Sequence, residues 1–102
     1  MAVYKLSRKA ADDLDGIYEY TILNFGLEQA QDYLTGLHSH FQMLADHPRY
    51  GRSASRLAPG LRRTEYQSYI VFYQPQPYGV LIVRILHGRQ DAKAHLGSSE
   101  EP

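Results

Sequence analysis

A chain of 102 residues with 43% apolar residues holds one domain's worth of core and too little for two. Its 11 basic residues balance 11 acidic ones, which argues against a general polyanion binder. Cysteine is absent, which excludes a disulfide scaffold, a thiol nucleophile and a Cys-based metal site and fits a reducing cytosol. With no membrane-length apolar run and no signal-peptide stretch, the chain reads as soluble and cytoplasmic.

Val3, Tyr4 and Leu6 predict a short first strand, and Ser7 is placed to cap the helix after it. Leu14, Ile17, Tyr18, Thr21, Ile22 and Phe25 repeat at helical spacing, with Asp12, Asp13, Asp15 and Glu19 off that face. Gly26 ends the helix. A second helix is expected from near Glu28 to about Asp46, with Ala30, Tyr33, Leu34, Leu37, Phe41 and Leu44 inward and Pro48 as its stop. The short joint predicts an antiparallel helical hairpin, and Gly36 inside the second helix suggests a close approach.

Arg49 to Gly60 reads as a loop, Leu61–Tyr66 as a strand, Gln67-Ser68 as a tight turn and Tyr69–Tyr73 as a strand. Pro75–Gly79 reads as a hairpin loop before the strand Val80–His87. Asp91–Leu96 fits a short terminal helix, and residues 97–102 a disordered polar tail, so the domain is expected over residues 1–96. The expected class is α+β, in the order β-α-α-β-β-β, with the helical hairpin packed on an antiparallel sheet.

The zero net charge conceals a polarity. Met1–His47 carries three basic and seven acidic residues, or −4, and Pro48–Pro102 carries eight and four, or +4. The basic part is mostly arginine, whose planar fork suits carboxylates and phosphates. The strands show a second irregularity. Val80, Ile82, Arg84 and Leu86 would share one face, and Leu81, Val83, Ile85 and His87 the other, so both are largely apolar. Tyr69, Val71 and Tyr73 oppose Ile70 and Phe72 in the same way. One helical hairpin covers one face, so either the Arg49–Gly60 loop, the last helix or a partner must cover the other.

No Gly-x-Ser-x-Gly motif, phosphate-cradling glycine loop or metal-ligand histidine spacing is present, and nothing asks for a cofactor. Arg62, Arg63, Arg84, His87 and Arg89, with Tyr66, lie on the meander strands or just beyond and could converge. Such a cluster could stabilise a phosphorane and shuttle a proton, as an endoribonuclease requires. Alternatively Arg84 pairs with Glu65 across the sheet or with a partner's carboxylate.

Tyr4-Lys5-Leu6-Ser7, Asp13-Leu14, Ile17-Tyr18-Glu19-Tyr20, Phe25-Gly26, Gln29-Ala30, His47-Pro48, Gly51-Arg52 and Pro59-Gly60-Leu61-Arg62 carry a family likeness. So do Ile70–Tyr73 and Val83-Arg84-Ile85-Leu86-His87-Gly88-Arg89-Gln90-Asp91. In order and spacing the chain resembles a ParE-type toxin of the RelE/ParE toxin–antitoxin superfamily, as far as Leu96. The resemblance implies a bacterial toxin that inhibits DNA gyrase by binding, without being an enzyme, and that halts growth. A ParD-type antitoxin would neutralise it, with DNA met only through antitoxin or gyrase and with toxin dimers inside a hetero-oligomer as one arrangement. Expected partner- or target-binding residues are Arg62, Arg63, Tyr66, Tyr69, Val71, Tyr73, Arg84, His87, Arg89 and Asp91. RelE-like relatives suggest the alternative, a ribosome-dependent mRNA endonuclease with Arg62, Arg63, Arg84 and His87 catalytic. The ending from Gly88 to Asp91, with no tyrosine after Tyr78, is the ParE-like one.

Overall fold

The computed structural model describes residues 1–88 and Leu96. The elements are β1 (Val3–Leu6), α1 (Arg8–Phe25), α2 (Leu27–Asp46), β2 (Arg52–Ser53), β3 (Arg62–Tyr66), β4 (Tyr69–Gln76) and β5 (Gly79–His87). Ser7 starts α1 as expected: its Oγ accepts the Ala10 N–H at 3.0 Å. The same hydroxyl donates to the Val83 carbonyl at 2.7 Å, so the cap also fastens the helix to β5. A single residue, Gly26, joins the helices at a φ of 93°. That left-handed backbone suits glycine, and the Gly26 N–H closes α1 on the Ile22 carbonyl.

The five described strands form one sheet in the order β1-β5-β4-β3-β2. β3, β4 and β5 are the antiparallel meander read from the short turns. The sheet as a whole is mixed, not antiparallel, because β1 pairs parallel with β5 from Val3–Gly79 to Leu6–Ile82. Turns dictate the direction of neighbouring strands, whereas the β1–β5 pairing joins distant parts of the chain with no local signal. The expected Arg49–Gly60 loop also contains β2, whose two residues pair with Arg63 and Arg62. β4 runs on through Pro75, shortening the expected hairpin loop. β3 ends its pairing at Arg62–Tyr73, so the missing N–H of Pro75 breaks no ladder bond on that side.

The strict alternation expected for β5 fails at a bulge. Phe72 pairs with Arg84 but Tyr73 pairs with Ile82, leaving Val83 as an extra residue. Ile82 and Ile85 therefore both join the core beneath the helices, with Leu14, Ile17, Leu37, Phe41, Leu44, Val71 and Tyr73. Leu86 and Phe72 belong to a second cluster on the opposite face, with Ala54, Leu61 and Leu96. The second face is thus covered by the chain itself, through the loop after β2 and Leu96, and partly by Leu57 and Ala58. The expected terminal helix over 91–96 and the tail over 97–102 lie outside the described residues apart from Leu96. No helix among the described residues is long and apolar enough to cross a membrane.

Candidate functional site

β1 stops at its Leu6–Ile82 pair, so the rest of β5 needs other partners along that edge. α1 supplies them. Asp13 Oδ2 accepts the Ile85 N–H at 2.9 Å, and the Asp13 carboxylate takes a two-pronged guanidinium from Arg84 at 2.8 and 2.9 Å. Both side chains are only 14% exposed. The hydrogen bonds that Arg84 donates to Asp13 raise the Arg84 pKa above its ordinary value, against the opposing effect of burial. Arg84 therefore pairs with Asp13 of α1, not with Glu65. The sequence shows Asp13 as one of several acids off the apolar face, with nothing local to mark it as the partner.

The other arginines occupy different ground. Arg62 spends its fork on main-chain carbonyls, bonding Gly51 O through Nε at 2.9 Å and Arg49 O at 3.1 Å. Tyr73 works on the same loop: its hydroxyl donates to the Pro48 carbonyl and accepts the Gly51 N–H, each at 2.8 Å. Gly51 is needed there, because a side-chain carbon at that position would meet the Arg63 carbonyl and the Tyr73 hydroxyl at 2.6 Å. Arg63 lies over the Phe72 ring and beside Glu65, which also contacts Arg52 at 3.4 Å. Arg63, Phe72 and Arg84 form one cross-strand row, placing the two arginine backbones about 10 Å apart. His87 lies three rows away from Arg63, in a row with Tyr66 and Tyr69, its ring edge-on to Tyr69 at 5.6 Å. The structure thus does not gather Arg62, Arg63, Arg84 and His87 around one point. Arg89 and Asp91 lie outside the described residues.

A cleft of about 760 Å³ opens where the end of α1 and the start of α2 meet the β3–β4 turn. Ile17, Thr21, Tyr33, Tyr69, Ile85 and His87 help to line it. Tyr33 meets Tyr66 and Tyr69 edge-on at 5.6 and 6.2 Å. Its hydroxyl is buried and finds no hydrogen-bond partner among the described residues. Burial foremost, then Tyr69 and Tyr66, pushes the Tyr33 pKa far above the usual phenol value, so the group stays a neutral donor. Burial, then Tyr20, raises Tyr69 as well. Of the lining residues Tyr20 and Phe25 are more than half exposed, and so are Leu23 near the end of α1 and Leu27 at the start of α2.

Tyr69 and His87 from the expected binding set fall in this cleft. Tyr66 lies behind it, over Gly36, where a side-chain carbon would collide with the Tyr66 hydroxyl; this is the close approach the glycine suggested. Val71 and Tyr73 are wholly buried, so they belong to the core and offer no surface to a partner. Phe25, expected on the buried face of α1, is exposed. Sequence reading missed Tyr20, Leu23, Leu27 and Tyr33 as site residues. The available signal was two large apolar residues, Tyr20 and Leu23, off the buried stripe of α1.

Residues 4–92 match the model of the ParE toxin of type II toxin–antitoxin systems. The chain belongs to this family. A relative named Toxin ParE1 from Caulobacter vibrioides is 42% identical over 97 residues, covering 95% of this chain and all of the relative. A Toxin ParE1 from Mycobacterium tuberculosis is 34% identical, covering 91% of this chain and 96% of the relative. A solved structure described as a chromosomal ParDE toxin–antitoxin system from P. aeruginosa superimposes with a TM-score of 0.71 at 25% identity. That match covers 85% of this chain and 96% of the other. The family is therefore shared with the named relatives, and the α+β fold of two helices on a mixed sheet with the solved structure.

Proposed function

We propose that this ParE toxin acts by binding DNA gyrase, without catalysing a reaction, and that a ParD-type antitoxin neutralises it from the cleft end of the helical hairpin. The observation that carries the reading is that cleft with its exposed apolar rim. Four large exposed apolar side chains within eight residues of chain around the helix joint mark a surface for a partner. An amphipathic antitoxin segment would bury Leu23, Phe25 and Leu27 and present an acceptor to the unpartnered Tyr33 hydroxyl. Binding rather than catalysis is supported by the state of the arginines. Arg84 is held in a two-pronged ion pair and Arg62 is committed to carbonyls, so neither guanidinium is poised for a phosphorane. Arg89 and Asp91, beyond β5, remain part of the proposed target-contacting set.

The test is a supercoiling assay with purified gyrase. The toxin should inhibit in proportion to its concentration, and added antitoxin should restore activity. Full supercoiling at excess toxin would falsify the gyrase assignment, and cleaved mRNA on toxin-loaded ribosomes would replace it with the endonuclease reading.

A further inference from the structure

We infer that the β2–β3 edge of this toxin binds the phosphate backbone of duplex DNA, with Tyr50 as a ridge between two arginine-lined hollows. The inference rests on the gyrase reading, since gyrase holds DNA, and it goes beyond the expectation that the toxin meets DNA only through other proteins.

Tyr50 lines both hollows and is 66% exposed. On one side stand Arg49 and Arg62, and on the other Arg52 and Arg63. Each hollow also holds one carboxylate, Asp46 in the first and Glu65 in the second. The excess of positive charge is therefore modest and local, as a chain of zero net charge requires. The Glu65–Arg52 contact is exposed on both sides at 3.4 Å, so water screens it and it competes weakly with a phosphate.

The support beneath the ridge is rigid. Arg62 and the Tyr73 hydroxyl together hold the carbonyls of Pro48, Arg49 and Gly51 and the N–H of Gly51, the backbone on either side of Tyr50. Arg49 and Arg52 are left on the surface of this braced segment. Such bracing lowers the ordering cost of binding.

The chemistry of the patch selects the partner. A protein interface needs an apolar centre with a polar rim, as the cleft has. Here Tyr50 is the one large exposed apolar residue, and the surroundings are cationic. That composition suits nucleic acid, whose protein interfaces are polar and strongly positive. Arginines on both sides of a ridge suit two phosphate rows, which a duplex presents across a groove and a single strand does not. The exposed acids Asp12, Asp15 and Glu19 lie on α1, which packs on β5 and β1, toward the opposite edge of the sheet. The resulting charge polarity would turn the arginine edge toward DNA and the helices away.

The experiment measures anisotropy of a fluorescent duplex of arbitrary sequence against full-length toxin, without gyrase, from about 50 to about 200 mM salt. The wild type should bind at low salt and release as salt rises. Arg49→Gln/Arg52→Gln should weaken binding about tenfold at low salt and flatten the salt slope by about 1.8, the share of two phosphate contacts. Arg8→Gln/Lys9→Gln, which removes the same charge from the exposed start of α1, should change neither. Equal behaviour of the two double variants overturns the inference. So does the absence of binding at low salt, or tighter binding to single-stranded RNA or to polyglutamate of matched charge. Because gyrase is absent, DNA binding and gyrase inhibition fail independently: inhibition that survives loss of the arginine edge leaves the function standing without this surface.

Discussion

Two seams of this molecule use the same residue type to opposite ends. Between α1 and β5, Arg84 is largely withdrawn from water against Asp13 and makes a contact that ties helix to sheet. Along the β2–β3 edge, Arg49 and Arg52 stand in water, the first on the loop before β2 and the second at the start of β2, on backbone that other residues hold in place. The difference lies in how far each pair is withdrawn from water: Arg52 also has a carboxylate, Glu65, at 3.4 Å, but both side chains are exposed. A carboxylate withdrawn from water with its guanidinium makes a structural unit, whereas an exposed guanidinium remains available to a partner.

The most severe way to break this contrast is Asp13→Ala. It strands the Arg84 charge and the Ile85 N–H together, and should cost about 3 kcal/mol in urea unfolding. A loss no larger than that of an exposed ion pair would show that the seam is held by packing alone. Next is Tyr73→Phe, which keeps the ring and removes the hydroxyl that bridges Pro48 and Gly51. It should cost about 1–2 kcal/mol and speed amide exchange at Gly51, since a buried N–H then loses its acceptor. Unchanged exchange there would mean that Arg62 braces the loop unaided.

The smallest effect is pH-dependent. His40 Nε2 lies 2.8 Å from Thr64 Oγ1, and burial lowers the His40 pKa from its ordinary 6.5. Between the folded pKa and 6.5 the unfolded chain binds more proton than the folded one, so this stability is present above 6.5 and is lost as pH falls below it. His40→Gln should flatten that part of the stability profile and leave the Arg84–Asp13 seam untouched. An identical profile in the variant would assign the acid loss elsewhere.

How legible these regions were in the sequence follows from the range of the interactions that make them. The helical hairpin, its Ser7 cap, the Gly26 joint and the three-strand meander depend on neighbours in the chain, and they were readable. The parallel β1–β5 pair depends on distant residues, and the sheet was misread as antiparallel. The β5 bulge hid which residues share a face: strict alternation separates Ile82 from Ile85, and the structure unites them. The apolar character of the far face was legible, and of the covers it allowed the chain's own is found, with Ala54, Leu61 and Leu96 against Phe72 and Leu86. Residue type alone does not separate buried Tyr73 from exposed Tyr20 and Tyr50. Of the expected binding residues Tyr69 and His87 line the cleft, whereas the exposed apolar residues beside it were not read, because exposure of Leu23, Phe25 and Leu27 follows from how the hairpin ends rather than from their hydropathy.

The proposed division of labour gives the cleft end to the antitoxin and the arginine edge to nucleic acid. Calorimetric titration of a ParD-type antitoxin segment against two variants tests it most directly. Leu23→Glu/Phe25→Glu should lose at least about a hundredfold in affinity, as expected when two apolar anchors of an interface become charged. Arg49→Gln/Arg52→Gln should bind the antitoxin as the wild type does. Full affinity in the first variant together with a large loss in the second would contradict the account and move the antitoxin to the arginine edge.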